Sequence, residues 1–220
     1  IDNGSTDNSK KILKKFKHKN IKKKFLKKNI GRTNCLNYGL RFCKGKYIAI
    51  LDSDDVSEKN RFKKQVNEME KNKDVNLVAS NFKLIDEDNQ IVSNKKHFFK
   101  KKNLRSLLFN NFIAHSTVMY KKSIIGKVGN YPKKYQYAQD YAFYLKIFKK
   151  YKIKFLSETL VKLRKPHSNS ETIRVSKQNL FFDEQISLLN WSLKNLNPNF
   201  NEKLKITFKF LKILTKKIIL

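Results

Sequence analysis

Proline, glycine and cysteine are all scarce in this chain, and so are acidic side chains. Three prolines and six glycines in 220 residues leave little room for long flexible linkers. The two cysteines, Cys35 and Cys43, fall in one expected helix, where eight residues would separate them by about 12 Å, too far for a disulfide. That excludes a disulfide-stapled secreted module and suits a reducing cytoplasm. No apolar run reaches the roughly 18 residues of a membrane-spanning helix, and no stretch reads as a secretory leader. The chain opens on Ile1 inside what reads as a strand end, so it is expected to be a fragment.

What is present supports a folded domain. Apolar residues make up 40% of the chain, with 17 Phe and 9 Tyr, enough for a sizeable core and too many for disorder. Fifty Lys and Arg against 18 Asp and Glu give a net charge of +32, a field that attracts nucleic acid, anionic lipid or a diphosphate alike. The lysines are spread along the chain and alternate with apolar residues, as in the run from Lys10 to Phe16, which is how a solvated helix face reads. A basic nucleic-acid-binding protein is the alternative reading. No standard nucleic-acid signature accompanies the charge, so no specific nucleic-acid partner is expected.

Periodicity predicts strand–helix alternation. Helices are expected over 8–17 (capped by Ser5 or Thr6), 33–43, 59–72 and 140–150, and near 104–109. Strands are expected over 21–26, 76–84 and 117–120, and over 47–51, an apolar run read as buried on both faces. This is an α/β pattern with substantial parallel pairing. Beyond Lys165 the chain reads as purely helical, over 180–196 and 202–219. In the last helix Leu204, Phe208, Leu211, Leu214 and Ile218 share one face, while Lys205, Lys209, Lys212 and Lys216 line another. Such a helix packs on the main domain by its apolar face or docks on an anionic membrane surface.

The most informative segment is Asp52-Ser53-Asp54-Asp55. It ends the strand over 47–51, the place where ligands bind in open α/β sheets. In extended backbone Asp52 and Asp54 point the same way, and two hard oxygen ligands suit Mg²⁺ or Mn²⁺ with water and phosphate oxygens completing the shell. A second candidate is Asp140 after Gln139, at the start of an amphipathic helix, where by itself it reads as an N-cap.

The order of motifs resembles family 2 glycosyltransferases over roughly residues 1–170. The matching segments are Ile1-Asp2-Asn3-Gly4-Ser5-Thr6-Asp7, Asn29-Ile30-Gly31 leading to Leu36-Asn37-Tyr38-Gly39, Lys44-Gly45-Lys46-Tyr47-Ile48-Ala49 and Asp52-Ser53-Asp54-Asp55. The resemblance implies a GT-A fold, a Rossmann-like α/β domain with a mixed, mainly parallel sheet over 1–170, whose first strand and helix are missing, and a helical extension over 171–220. It implies inverting, metal-dependent transfer from a nucleoside-diphosphate sugar to a saccharide or lipid-linked acceptor, in cell-surface polysaccharide or glycolipid assembly. A catalytically inactive fragment is the further alternative.

Residue by residue, Asp2, Asn3 and Ser5 match the turn that contacts the nucleoside, with Asn3 where many relatives carry a second carboxylate. Asp52 and Asp54 match the acids that bind ribose, diphosphate and metal. Position 36, often Arg in relatives, is Leu here, and Arg32 is the substitute phosphate contact. Asp140 matches the general base, with Gln139 in place of the preceding acid. His115 falls in the region resembling the acceptor-side wall, or is a structural histidine. His167 matches a histidine near the donor phosphates and is a candidate metal ligand. The Gln-x-x-Arg-Trp motif of processive relatives is absent, which points to single-sugar transfer. The implied location is cytoplasmic, with peripheral contact on the inner face of the membrane.

Overall fold

The computed structural model describes residues 1–92, 103–165 and 178–219. Its sheet has five strands in the order β1-β4-β3-β5-β2: β1 (Tyr47–Ala49), β2 (Val56–Ser57), β3 (Val75–Ile85), β4 (Met119–Lys121) and β5 (Lys152–Arg164). The sheet is mixed. β3 and β5 form one long parallel ladder from Val75/Lys152 to Ile85/Arg164, while β1/β4, β3/β4 and β2/β5 pair antiparallel.

β3 is the centre because its apolar run meets helices on both faces. On one face Met69 of α3 (Arg61–Lys71) packs with Val75, Val78 and Met119. On the other, Leu77 and Ala79 join α5 (Gln139–Lys150) through Tyr141, Phe143, Tyr144 and Leu145. The two C-terminal helices, α6 (Asn179–Asn195) and α7 (Phe200–Ile219), add Phe182, Leu188, Leu189, Ile206 and Ile213 to this same cluster. Burying each such side chain contributes about 1.5–3 kcal/mol, so the helical tail is integral to the core. The other α-helices among the described residues are α1 (Ser9–Lys15), α2 (Arg32–Leu40) and α4 (Ile125–Val128).

Several expectations need correction. The strand at 47–51 is an edge strand of three residues in which only Ile48 is buried, and Leu51 is 46% exposed. Its ladder stops because the Ile50 carbonyl accepts from Arg61, which also reaches the Val118 carbonyl (2.8 and 3.0 Å). Arg61 is fully buried, and that burial pushes its pKa down to about 10. The strand at 21–26 reduces to one parallel bridge between Asp2 and Phe25. The first helix is preceded by Asn8, with Asp7 Oδ1 accepting from Ser9 N, so neither Ser5 nor Thr6 caps it. The second helix ends at Leu40 and excludes Cys43, and the segment near 104–109 is a 3-10 turn, Leu104–Leu108. The 13-residue β5 lies where no strand was expected.

The last helix packs by a different face from the one its leucine pattern suggested. Ile206 and Ile213 are buried, whereas Phe208 is 74% and Ile218 83% exposed, with Leu204 and Leu211 also exposed. An Asn199/Glu202 capping box starts the helix, each backbone N–H donating to the other's side chain at 2.9 Å. Glu202 also accepts from Arg105 Nη2 at 2.7 Å, and Lys217 donates to Asp183 at 2.6 Å, so both ends of α7 are tied down. Among the described residues no helix is long and apolar enough to cross a membrane.

Candidate active site

After β1 the chain turns at Asp52–Asp55, with Asp55 N donating to the Asp52 carbonyl at 3.2 Å. The three acids have three different environments, and Asp52 and Asp54, expected to point the same way, differ in exposure. Asp55 is structural: Oδ1 accepts from Arg164 N at 2.9 Å and Oδ2 from the Ser116 hydroxyl, whose oxygen accepts in turn from Asp52 N at 2.9 Å. Burial pushes the Asp55 carboxyl above its ordinary pKa, with those two donors opposing. Arg164, the last residue of β5, adds Nε to the Asp54 carbonyl (3.0 Å) and Nη2 to Asn89 (2.7 Å), which pins the acidic turn to the 86–89 turn.

Asp52 is half-buried and points inward. Burial would raise its carboxyl, but the neighbouring His115 imidazole and the charge and hydrogen bonds of Arg32 hold it well below the usual carboxylate range. Arg32 Nη2 donates to both oxygens, at 2.8 and 2.7 Å, and His115 Nδ1 lies 3.6 Å from Oδ1. His115 is buried, and its Nε2 sits 3.1 Å from the Tyr131 hydroxyl, which fixes the ring. Asp54 is exposed, and its carboxylate has no hydrogen-bond partner among the described residues.

The N-terminal turn positions Arg32. Asp2 is buried and its Oδ1 accepts from Ser5 N at 3.2 Å, and the bond to Ser5 is the main cause lowering its pKa. Asn3 donates to Asn29 Oδ1 (2.9 Å) and accepts from Ile30 N (3.1 Å), while Asn29 Oδ1 also takes Gly31 N (2.8 Å). Gly4 has φ of 78°, and a Cβ there would meet Lys28 C at 2.4 Å, so only glycine allows this approach. The locked 29–31 loop delivers Arg32 as the first residue of α2.

Arg32 also reaches α5. With the Gln139 amide oriented to satisfy both its ends, its oxygen accepts from Arg32 Nε at 3.2 Å and its nitrogen donates to the Gln136 and Tyr137 carbonyls at 3.0 Å. One guanidinium therefore spans Asp52 and Gln139, holding those two side chains within about 8 Å of each other. Asp140 is the next residue. It stands in the first turn of α5 rather than at its cap, with Oδ1 taking Tyr141 N (2.7 Å) and Oδ2 taking Asn111 Nδ2 (3.3 Å).

The backbone amides just ahead of α5 are satisfied from another helix. Glu184 of α6, 4% exposed, accepts from Gln136 N, Tyr137 N and Ala138 N at 2.5, 2.9 and 2.8 Å. Sequence reasoning missed Glu184. Its one signal was a lone acid on the apolar face of a helix, which burial explains only if it has partners.

The structure thus brings together Asp52, Arg32 and His115, with Gln139 joining Arg32 one residue ahead of Asp140, and with Asp2, Asn3 and Ser5 supporting the loop behind Arg32. Asp140 itself lines a cavity that Asp52, Asp54, Arg32 and His115 do not border. His167 lies outside the described residues. No cluster of three or more His, Cys, Asp or Glu able to hold a metal exists among the described residues. The residues fit a divalent cation only in the mode that Mg²⁺ favours, one or two carboxylates with substrate phosphates and water. Asp54 offers the unengaged carboxylate for this, and Asp52 offers one already paired with Arg32. Asp140 borders a cavity of about 390 Å³, and a wider one of about 750 Å³ beside Arg41 and Lys44 contains none of the acids.

Residues 1–129 match glycosyl transferase family 2. An uncharacterized glycosyltransferase of Methanocaldococcus jannaschii is 33% identical over 186 residues, 82% of this chain and 64% of that protein. The Escherichia coli UDP-Gal:alpha-D-GlcNAc-diphosphoundecaprenol beta-1,3-galactosyltransferase is 35% identical over 130 residues, 58% of this chain and 46% of that one. The chain thus spans between about half and two thirds of these relatives' length. Among solved structures, Staphylococcus aureus TarS 1–349 in complex with UDP-GlcNAc superposes with a TM-score of 0.68 at 22% identity, covering 96% of this chain and 61% of that one.

Proposed function

The chain belongs to glycosyl transferase family 2, and on that premise we propose that it transfers a single sugar, with inversion, from a nucleoside-diphosphate sugar to a saccharide or lipid-linked acceptor. The observation that carries the reading is the Arg32 guanidinium, which ties the acidic turn at Asp52 to Gln139, the residue before Asp140. Donor and base can then act on the same anomeric carbon.

In this mechanism the nucleoside and its diphosphate lie along the Asp2–Ser5 turn and the acidic turn. Arg32 holds Asp52 ionised and aligned beside the donor, while Asp54 faces the leaving diphosphate. The Asp140 carboxylate takes the proton of the acceptor hydroxyl as its oxygen bonds to the anomeric carbon. The bond from that carbon to the diphosphate oxygen breaks on the opposite face, the configuration inverts, and the nucleoside diphosphate leaves with the electron pair. A positioned carboxylate base contributes typically about 10²–10⁴-fold. Asp54 together with Asp52 would hold Mg²⁺ or Mn²⁺, which when bound neutralises charge on the diphosphate.

The E. coli relative, which by its name acts on a diphosphoundecaprenol-linked sugar, supports a role in cell-envelope polysaccharide assembly. The exposed stripe of Phe200, Leu204, Phe208, Leu211 and Ile218 on α7, flanked by lysines, supports peripheral contact with an anionic membrane on the cytoplasmic side.

The test is a screen of nucleoside-diphosphate sugars for thermal stabilisation of the chain with Mn²⁺ present. A matching donor at 100-fold its Kd should stabilise by about 2.7 kcal/mol. No stabilisation by any donor at millimolar concentration would remove the proposal.

A further inference from the structure

The cavity that opens on Asp140 is walled on its far side by α7, and its chemistry is specific. Lys209, Lys212 and Lys216, at helical spacing, line it together with Ile213, and Phe181 and Tyr137 close it. None of the three lysines has a carboxylate partner among the described residues, in a helix whose Lys217 and Glu202 are both paired. Lys209 is half-buried; burial and the neighbouring ammoniums of Lys212 and Lys216 hold its pKa below the ordinary value. Lys212 and Lys216 are exposed and Lys209 is half-buried, so the row presents to the cavity three ammoniums without a carboxylate partner among the described residues, a concentration of positive charge that attracts an anion. The two anchors of α7, Arg105–Glu202 and Lys217–Asp183, keep the row in place over the cavity. Asp52 and Asp54 do not line this space, so the donor's diphosphate is not the anion it serves.

From the lysine row facing Asp140 across the 390 Å³ cavity, we infer that the acceptor carries a phosphate or diphosphate ester, bound by Lys209, Lys212 and Lys216 while its sugar hydroxyl meets Asp140. This rests on the transferase reading above and adds to it the chemical class of the acceptor. The phosphate sits at the lysines and its apolar substituent, where there is one, runs along Phe181 and Ile213.

The test compares three probes by calorimetry: N-acetylglucosamine, its 1-phosphate, and its dodecyl diphosphate ester. The 1-phosphate should bind at least about tenfold more tightly than the free sugar, equivalent to about 1.4 kcal/mol. The triple variant Lys209→Gln/Lys212→Gln/Lys216→Gln should lose that advantage, while Lys10→Gln/Lys11→Gln/Lys14→Gln, an equal loss of charge elsewhere, should keep it. Donor-induced stabilisation should be unchanged in both variants. Both phosphate probes should also protect the three lysines from acetylation, as read by mass spectrometry. A dodecyl ester that binds about tenfold better again identifies a lipid-linked acceptor, and equal affinity identifies a phosphate on a soluble or polymeric one. Equal binding of the free sugar and its 1-phosphate, or a lysine triple variant that binds like the parent, would overturn the inference. Phosphate-selective binding in a chain that no donor stabilises would instead sink the transferase reading.

Discussion

Arg32 Nη2 donates to both carboxylate oxygens of Asp52, at 2.8 and 2.7 Å, so the inward-facing acid of the acidic turn is neutralised before any donor arrives. The same side chain reaches Gln139. Arg32 is therefore the link whose removal should separate the two halves of the site.

Replacing Arg32 by Ala should weaken donor binding about tenfold and cost about 1 kcal/mol of stability at pH 7, the pair being partly exposed to solvent. The pH dependence has a definite sign. The folded pKa of Asp52 lies below its unfolded value of about 3.9, so the pair's stabilisation is full above that value and is lost as pH falls through the folded one. Urea unfolding of both proteins should give a difference that persists at pH 5 and above and shrinks below about pH 4. A difference that grows on acidification would contradict the pairing.

Glu184→Ala leaves three backbone donors ahead of α5 without their acceptor and should cost about 2–3 kcal/mol. Because Asp140 follows that segment, turnover should fall while donor-induced stabilisation remains. Glu184→Gln, which keeps an acceptor oxygen, should recover part of both losses. Equal turnover in parent and Ala variant would show that the segment does not position Asp140.

Of the three acids at the strand end, only Asp54 has a carboxylate without a hydrogen bond among the described residues. Asp54→Asn should therefore abolish metal-dependent donor stabilisation while changing the stability of the ligand-free chain by less than about 0.5 kcal/mol. Chelation of the parent should have the same effect on donor binding. Donor stabilisation that survives EDTA would remove the metal assignment.

The acidic turn was legible because its residues are contiguous and stand out against a basic chain. Their division of labour was not, since Asp55 depends on Ser116 and Arg164, both far away in sequence. Glu184 was hidden for the same reason: its partners precede it by more than forty residues. The strand β5 escaped notice because a register shift breaks its alternation, Ser80 pairing with Leu156 but Asn81 with Thr159, so Ser157 and Glu158 interrupt the pattern. In α7 two apolar stripes compete. The longer one, through Leu204, Phe208 and Leu211, is exposed, and the shorter one, through Ile206 and Ile213, is buried against α6. Helical period alone does not say which stripe meets the core.

The most direct test is the turnover of Asp140→Asn with a donor identified by stabilisation. Asn keeps the shape and the bond to Tyr141 N but accepts no proton, so donor binding should stay within about twofold while turnover falls at least about 100-fold. A variant that turns over like the parent would take Asp140 out of the reaction, and with it the claim that both acids work on one sugar.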